Sequence, residues 1–207
     1  MSALPHVSGF AATKGRLLVI AGVVALVLAF AIHAGAWEFL CDDAYISFRY
    51  ARHLADHGAL EYNLGERVEG YTNFLWVLLL AGGQLVSWAP EKLAPVLTTL
   101  ASVSGLGLSV HLVRELRGRR DLAWTLGDLL PAACLVVTPS YMVWAHGGLE
   151  TSLAATAVLA AILAWLRGKL TPAAVLAAAA ILTRPDSAVA IASFGLAWAT
   201  HTLIVQL

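Results

Sequence analysis

Two adjacent carboxylates, Asp42 and Asp43, lie near the start of the stretch CDDAYISFRYARHLADHG at residues 41–58, and Arg49, Arg52, His53 and His57 follow inside it. A carboxylate can act as general base for a hydroxyl. Its neighbour can hold a hard divalent cation or position the group that carries the hydroxyl. The guanidinium forks of Arg49 and Arg52 match the geometry of a phosphate. Together these residue types suit an acceptor hydroxyl and a phosphate-bearing donor. The plainer reading is a surface helix over 43–57 with Asp42 as its N-cap. Helical spacing then sets Ile46, Tyr50 and Leu54 on an apolar face and Tyr45, Arg49, Arg52, His53 and Asp56 opposite. Capping accounts for Asp42 but leaves Asp43 as a second anion at the same end.

Other chemistry-bearing residues are scattered. His53 and His57 have the i, i+4 spacing of a helical zinc pair, without a third ligand or an intervening glutamate; the alternative is two histidines on a polar face. Glu150, in AHGGLETS at 145–152, opens an apolar run, where an acid also complements a helix dipole. Asp128 falls inside another apolar run, and acids at such places face a bundle interior. Arg184 stands in TRPD at 183–186, beside a proline break. The loop YNLGERVEGYTNFLW at 62–76 reads locally as a turn-rich connector.

The elements that position these groups are membrane helices. The chain has 207 residues, 59% apolar and only 13% charged, against about 25% charged in soluble domains. Its mean hydropathy is +0.77. Apolar runs occupy 17–36, 74–88, 92–113, 122–140, 149–166, 170–183 and 187–207. Runs near 20 residues mark transmembrane helices, so the fold class is all-α, a polytopic transmembrane helix bundle. Outer-membrane barrels alternate in polarity instead. A net charge of zero leaves no basic footprint for nucleic acid. Cys41 and Cys134 are far apart and read as free thiols. Run 17–36 follows Lys14 and Arg16 and exceeds the ~7–15 residues of a signal h-region, which makes it a retained signal-anchor.

Basic residues gather at Lys14 and Arg16, at 114–120, and at Arg167 and Lys169. The positive-inside rule puts all three groups in the cytoplasm. Segment 37–73 carries Glu38, Asp42, Asp43, Asp56, Glu61, Glu66 and Glu69 against Arg49, Arg52 and Arg67, and so lies outside. Both placements hold if run 74–88 does not cross. At about 1.5 Å per residue it reaches ~22 Å, short of a ~30 Å hydrocarbon core. The alternative is that it spans with local thinning. The expected organisation is a span at 17–36, an extracytoplasmic loop with juxtamembrane helices at 37–91, and further spans over 92–207. Asp42 and Glu150 then share the outer face.

The segment DDAYISFRYARHLADHGALEYNLGERVEGYTNFLW resembles the first extracytoplasmic loop of GT-C-type polyprenyl-phosphate-dependent glycosyltransferases. The strongest likeness is to the terminal β-(1→2) arabinofuranosyltransferase group of actinobacterial cell-wall synthesis. GGLET at 147–151 and LTRPD at 182–186 recur at similar places in that group. The resemblance implies an inverting, multi-pass plasma-membrane enzyme with its site on the extracytoplasmic face. It would move a sugar, arabinofuranose among the candidates, from a polyprenyl-phosphate donor to a glycan or lipid-linked acceptor, in contact with membrane lipid. It makes Asp42 and Asp43 catalytic, with Asp42 the base. Arg49, Arg52, Glu150 and Arg184 become substrate-binding candidates, and Asp43 and Glu150 candidate ligands of a divalent cation that only some members use. Members are several hundred residues longer, so the chain reads as the front part of such an enzyme.

A different class competes. A non-catalytic transporter or flippase-like protein would use Asp128, Glu150 and Arg184 as an intramembrane polar path. It should concentrate polarity at the midplane in paired broken helices, whereas most polarity here sits in one outer loop. A small structural membrane subunit is the third reading.

Overall fold

The computed structural model describes residues 6–37 and 39–206, with side chains placed over 14–37 and 39–204. The order is α1 (His6–Gly35), α2 (Ala44–His57), α3 (Phe74–Leu85), α4 (Pro90–Leu116), a 3-10 turn (Leu126–Leu129), α5 (Leu130–Val137), α6 (Pro139–Val143), α7 (Thr151–Leu166), α8 (Leu170–Thr183) and α9 (Ser187–Gln206). Among the described residues no strand occurs, only a lone bridge between Asn63 and Glu66. The molecule is an all-α bundle. Three described helices are long and apolar enough to cross a membrane: Lys14–Gly35, Pro90–Leu116 and Ser187–Ile204.

Contacts along the bundle define two ends. At the first, the Cys41 N–H donates to Gly147 O at 3.0 Å, Asn73 reaches Glu150, Arg52 pairs with Glu91, and Arg184 reaches Glu150. At the second, Arg114 pairs with Asp128 and Arg167 with Glu115. A Cβ on Gly22 of α1 would lie 2.8 Å from Leu129 and 2.9 Å from Leu126, so α1 runs against the 3-10 turn there. His33, near the other end of α1, bonds Val136 O at 2.8 Å. Helix α1 therefore runs parallel to α5, with Lys14 and Arg16 at the second end. The basic segments 114–120 and 167–169 share that end, and the acid-rich 41–43 turn occupies the first.

Helix α3 does not lead from one end to the other. Its start, Asn73, lies at the first end, and α4 begins beside α2, where Glu91 meets Arg52. The twelve residues of α3 extend only ~18 Å. Trp76, Val77 and Leu80 of α3 pack fully buried on Ala44, Phe48 and Ala51 of α2 and on Leu93 and Ala94 of α4. The longer helices associate through small residues and hydroxyls. Thr156 donates to Ala101 O at 2.7 Å, and Tyr141 to Ser102 O at 2.6 Å. Close backbones and interhelical hydrogen bonds replace a hydrophobic driving force inside a bilayer.

Three expectations need correction. Run 122–140 is not one helix. Pro139 has no N–H to continue the ladder and forces Thr138 into extended backbone, with φ −84° and ψ 111°. Within that run Asp128 is buried and paired, as an acid there must be, and it closes a capping box with Thr125 on the 3-10 turn. In α2 the buried stripe is Ala44, Ser47, Phe48 and Ala51, flanked by Tyr50, while Ile46 is exposed. The large Phe48 ring, not the 46/50/54 row, decides which side turns inward. The N-cap position of α2 is Asp43, not Asp42, and no side-chain cap forms.

Candidate functional site

The acidic pair sits on a tight turn. Ala44 N–H donates to Cys41 O and Tyr45 N–H to Asp42 O, both at 3.1 Å. Asp42 Oδ1 accepts the Asp43 N–H at 3.1 Å and the Cys41 thiol at 3.6 Å. Both carboxylates are exposed, and neither has an ion-pair partner among the described residues. What fixes the turn is the 147–150 loop. Besides the bond from Cys41 to Gly147, Gly148 adopts φ +78°, and a Cβ there would stand 2.8 Å from Leu40 and 3.5 Å from Ala44 and Phe48. A bare, left-handed backbone is required for the loop to lie against the start of α2.

The same loop delivers Glu150, which is 7% exposed. A buried carboxylate must be hydrogen-bonded and charge-balanced. Glu150 Oε2 accepts from Asn73 Nδ2 at 2.8 Å. Glu150 Oε1 accepts from Arg184 Nη1 at 3.3 Å. The Asn73 amide also donates to Ser47 Oγ at 2.9 Å. Its orientation is settled by chemistry: an ionised Glu150 only accepts, so the nitrogen must face it. Asn73 Oδ1 is then left buried without a partner. Arg184 continues outward, forking onto Asp186 through Nε to Oδ1 at 3.1 Å and Nη2 to Oδ2 at 2.9 Å. Hydrogen bonds from Arg184 hold the Asp186 carboxyl below the usual carboxylate range.

The arginines of α2 are engaged but not enclosed. Arg49 donates to Asn63 Oδ1 at 2.8 Å and lies over the Tyr62 ring at 4.4 Å. Arg52 pairs with Glu91. Tyr50 ties the 62–70 loop across α2, donating to Val68 O at 2.9 Å and accepting the Gly70 N–H at 3.0 Å. A cleft of about 270 Å³ opens between Ile46 and Tyr50 of α2 and Tyr62, Asn63 and Glu66 of that loop.

The structure thus gathers Asp42, Asp43, Glu150 and Arg184 at one end of the bundle, with Arg49 and Arg52 on the helix that starts there. His53 and His57 stand 5.9 Å apart by ring centroids, and His53 Nδ1 is spent on Glu61 O at 2.9 Å. Among the described residues, the group whose ligand atoms could converge on a cation is Cys41, Asp42 and Asp43, within 4.8 Å of one another. Glu150 is outside that group, and each of its oxygens accepts from a protein donor. Asp128 is at the opposite end, held by Arg114 at 2.6 Å and Arg119 at 3.3 Å. The polar path of a transporter is therefore divided. Asn73, Ser47 and Gly148 were not singled out by sequence. Asn73 has a visible signal, a capping residue type just before an apolar run, but its partner lies 77 positions away.

No family model matches the chain, and no solved structure matches it. Over 131 residues it is 34% identical to a curated terminal beta-(1->2)-arabinofuranosyltransferase of Mycobacterium tuberculosis. The match covers 58% of this chain and 20% of that relative, so the aligned part spans about one fifth of the relative's length.

Proposed function

We propose that this chain forms part of a membrane glycosyltransferase. It moves a sugar, arabinofuranose on the likeness to the mycobacterial relative, from a polyprenyl-phosphate donor to an acceptor hydroxyl. The reaction takes place at the end of the bundle that carries Asp42 and Glu150. One observation carries this reading: the 41–43 turn, with its two exposed carboxylates, is clamped to the loop of the buried Glu150 by the bond from Cys41 to Gly147.

Asp42 takes the proton of the acceptor hydroxyl. The freed oxygen pair attacks the anomeric carbon, and the bond from that carbon to the donor phosphate oxygen breaks with its electrons staying on the phosphate. Attack opposite the leaving group inverts the anomeric centre. Asp43 positions the acceptor. Arg49 and Arg52 keep further N–H groups beyond those used on Asn63 and Glu91, and these meet the phosphate charge. Arg184 holds Glu150 and turns its half-exposed edge toward the donor. A divalent cation, in an enzyme that uses one, fits the exposed oxygens of Asp42 and Asp43 better than those of buried Glu150, each of which already accepts a protein hydrogen bond.

The basic end of the bundle supports a cytoplasmic assignment for 114–120 and 167–169. That leaves Asp42 and Glu150 extracytoplasmic, with α3 a juxtamembrane helix of a plasma-membrane protein.

The test is transfer of labelled sugar from a polyprenyl-phosphate donor to an oligosaccharide acceptor by membranes carrying the full-length protein. Asp42→Asn should lose ~10²–10⁴-fold in rate, the usual weight of a general base. Wild-type turnover in that variant overturns the assignment. A collapse confined to Asp43→Asn exchanges the two roles.

A further inference from the structure

The second end of the bundle, remote from the acidic turn, holds a feature the transfer reaction does not use. Helix α1 leans on the 3-10 turn, α5 and α6, and diverges from α4. The gap is an apolar groove of about 300 Å³, lined by Val23, Val27 and Phe30 of α1 and by Val103, Leu106 and Gly107 of α4. That is roughly twice the ~150 Å³ of an engineered apolar cavity that excludes water and takes up hydrocarbon. Its lower mouth is formed by His111 and Trp124. The same two residues line a second, polar cavity of about 260 Å³ with Arg120 and Arg167. The two cavities adjoin across His111 and Trp124, one greasy along the helices and the other basic at the end.

Trp124 fixes the level of that boundary. Its ring stands edge-on to His111 at 5.5 Å and beneath the Arg114 guanidinium at 4.2 Å. Partly exposed tryptophans sit at the headgroup level of a bilayer. The charge at the mouth is only partly internal. Arg114 is consumed by Asp128 at 2.6 Å, and Arg167 by Glu115 at 2.8 Å. Arg120 has only a 3.8 Å approach to the same Glu115 and is 57% exposed. The exposed Asp121 also borders the cavity. Arg16 is exposed and has no ion-pair partner among the described residues. Its i, i+7 and i+11 spacing to Val23 and Val27 puts it on the groove-facing side of α1, about two to three turns nearer the basic end.

We propose that these adjoining cavities form a binding site for an anionic phospholipid. One acyl chain fills the groove between α1 and α4, and the headgroup phosphate lies between Arg16 and Arg120 beside Trp124. Basic pockets between membrane helices recognise anionic headgroups in this way. A zwitterionic lipid would bring its own cation to an already cationic mouth. The site is distinct from the proposed donor site, because it opens at the opposite end of the bundle.

The experiment is native mass spectrometry of the full chain released from nanodiscs of phosphatidylcholine with phosphatidylglycerol at equal mole fraction. One phosphatidylglycerol should be retained in preference to phosphatidylcholine, by at least tenfold. The double variant Arg16→Ala with Arg120→Ala should abolish that preference. Gly107→Leu should abolish retention with every charge in place. A Cβ at Gly107 meets nothing within 4 Å, so this variant fills the groove without disturbing the helix packing, and circular dichroism checks that it is folded. Equal retention of the two lipids, or phosphatidylglycerol retention unaffected by both variants, overturns the proposal. So does preferential displacement by a polyprenyl monophosphate, which would make the cavities a donor site. Sugar transfer by the Asp42→Asn variant does not enter this readout, so the lipid site and the proposed reaction stand or fall separately.

Discussion

Asn73 and Glu150 meet at 2.8 Å across 77 residues of chain, the amide of one donating to the buried carboxylate of the other. The bond joins the start of α3 to the start of α7 beneath the acidic turn. Asn73→Ala removes a donor from a buried charge. It should cost about 1.5–3 kcal/mol, the range for a hydrogen bond to an ionised group. Asn73→Asp should cost more at neutral pH, because it sets two carboxylates together. Thermal unfolding in detergent at neutral pH checks both.

Gly148→Ala should destabilise the protein by ~1–2 kcal/mol from the left-handed backbone alone, with more from the 2.8 Å approach to Leu40. The 41–43 turn should shift with it, so sugar transfer should fall further than stability explains. Gly82→Ala is the control. Nothing lies within 4 Å of a Cβ there, and alanine gains roughly 1 kcal/mol over glycine in a helix. A thermal-shift comparison of the pair would expose a loop that tolerates side chains.

Arg184 serves two acids of different burial, and their removal should not be equivalent. Asp186 has an exposed side chain, at 65%, so Asp186→Asn should cost only ~0.2–1 kcal/mol. Arg184→Met strips the buried Glu150 of its cation. It should cost clearly more, approaching but not reaching the ~3–5 kcal/mol of a fully buried pair broken on one side, because Arg184 is itself 38% exposed. Arg184→Lys keeps the charge and loses the fork. In a well-folded Arg184→Lys protein, weakened donor affinity supports a substrate contact, and unchanged affinity removes the residue from the site.

The pH dependence of the clamp follows from the lowered Asp186 carboxyl. A depressed folded value means that the ionised form is the stabilised one. Its contribution should be complete above the ordinary value of 3.8 and lost as pH falls below it. The stability gap between wild type and Asp186→Asn should therefore be flat near neutrality and close in strong acid.

Labelling with an impermeant maleimide tests the orientation. In a background of Cys41→Ser and Cys134→Ser, Asp56→Cys should label in intact cells and Arg117→Cys only after permeabilisation. Labelling of Arg117→Cys from outside would mean that α3 crosses, and would separate Asp42 from Glu150.

The bundle class was legible because apolar content and run length report directly on the solvent. Helix α2 was legible within a residue at its start, because amphipathic period is a local signal. Its inward face was not. Phe48 and Ile46 are equally apolar in sequence, and only the α3 surface carrying Trp76 chooses between them. Run 122–140 looked continuous because hydropathy does not register a backbone break, although Pro139 announced one. Asp42, Asp43, Glu150 and Arg184 were each visible by type and setting. Asn73 and Ser47 were not, since a hydrogen bond between distant segments leaves no periodic trace.

The polar contacts differ in how much chain must exist before they can form. Arg114 and Asp128 are 14 residues apart, Arg167 and Glu115 52 apart, Asn73 and Glu150 77 apart. For a chain made from its amino end at about 5–20 residues per second, each contact is born when its later partner emerges: Asp128 first, then Glu150, then Arg167. The Arg114 charge is cancelled within seconds of emerging, while the α4 hairpin is still young. Glu115 waits for α7. Glu150 completes its set only after Arg184 arrives, another 34 residues on. The acidic end is tied in two stages, by Asn73 before α7 is made and by Arg184 after α8, so a synthesis halted before α8 would leave the buried Glu150 hydrogen-bonded but without its cation.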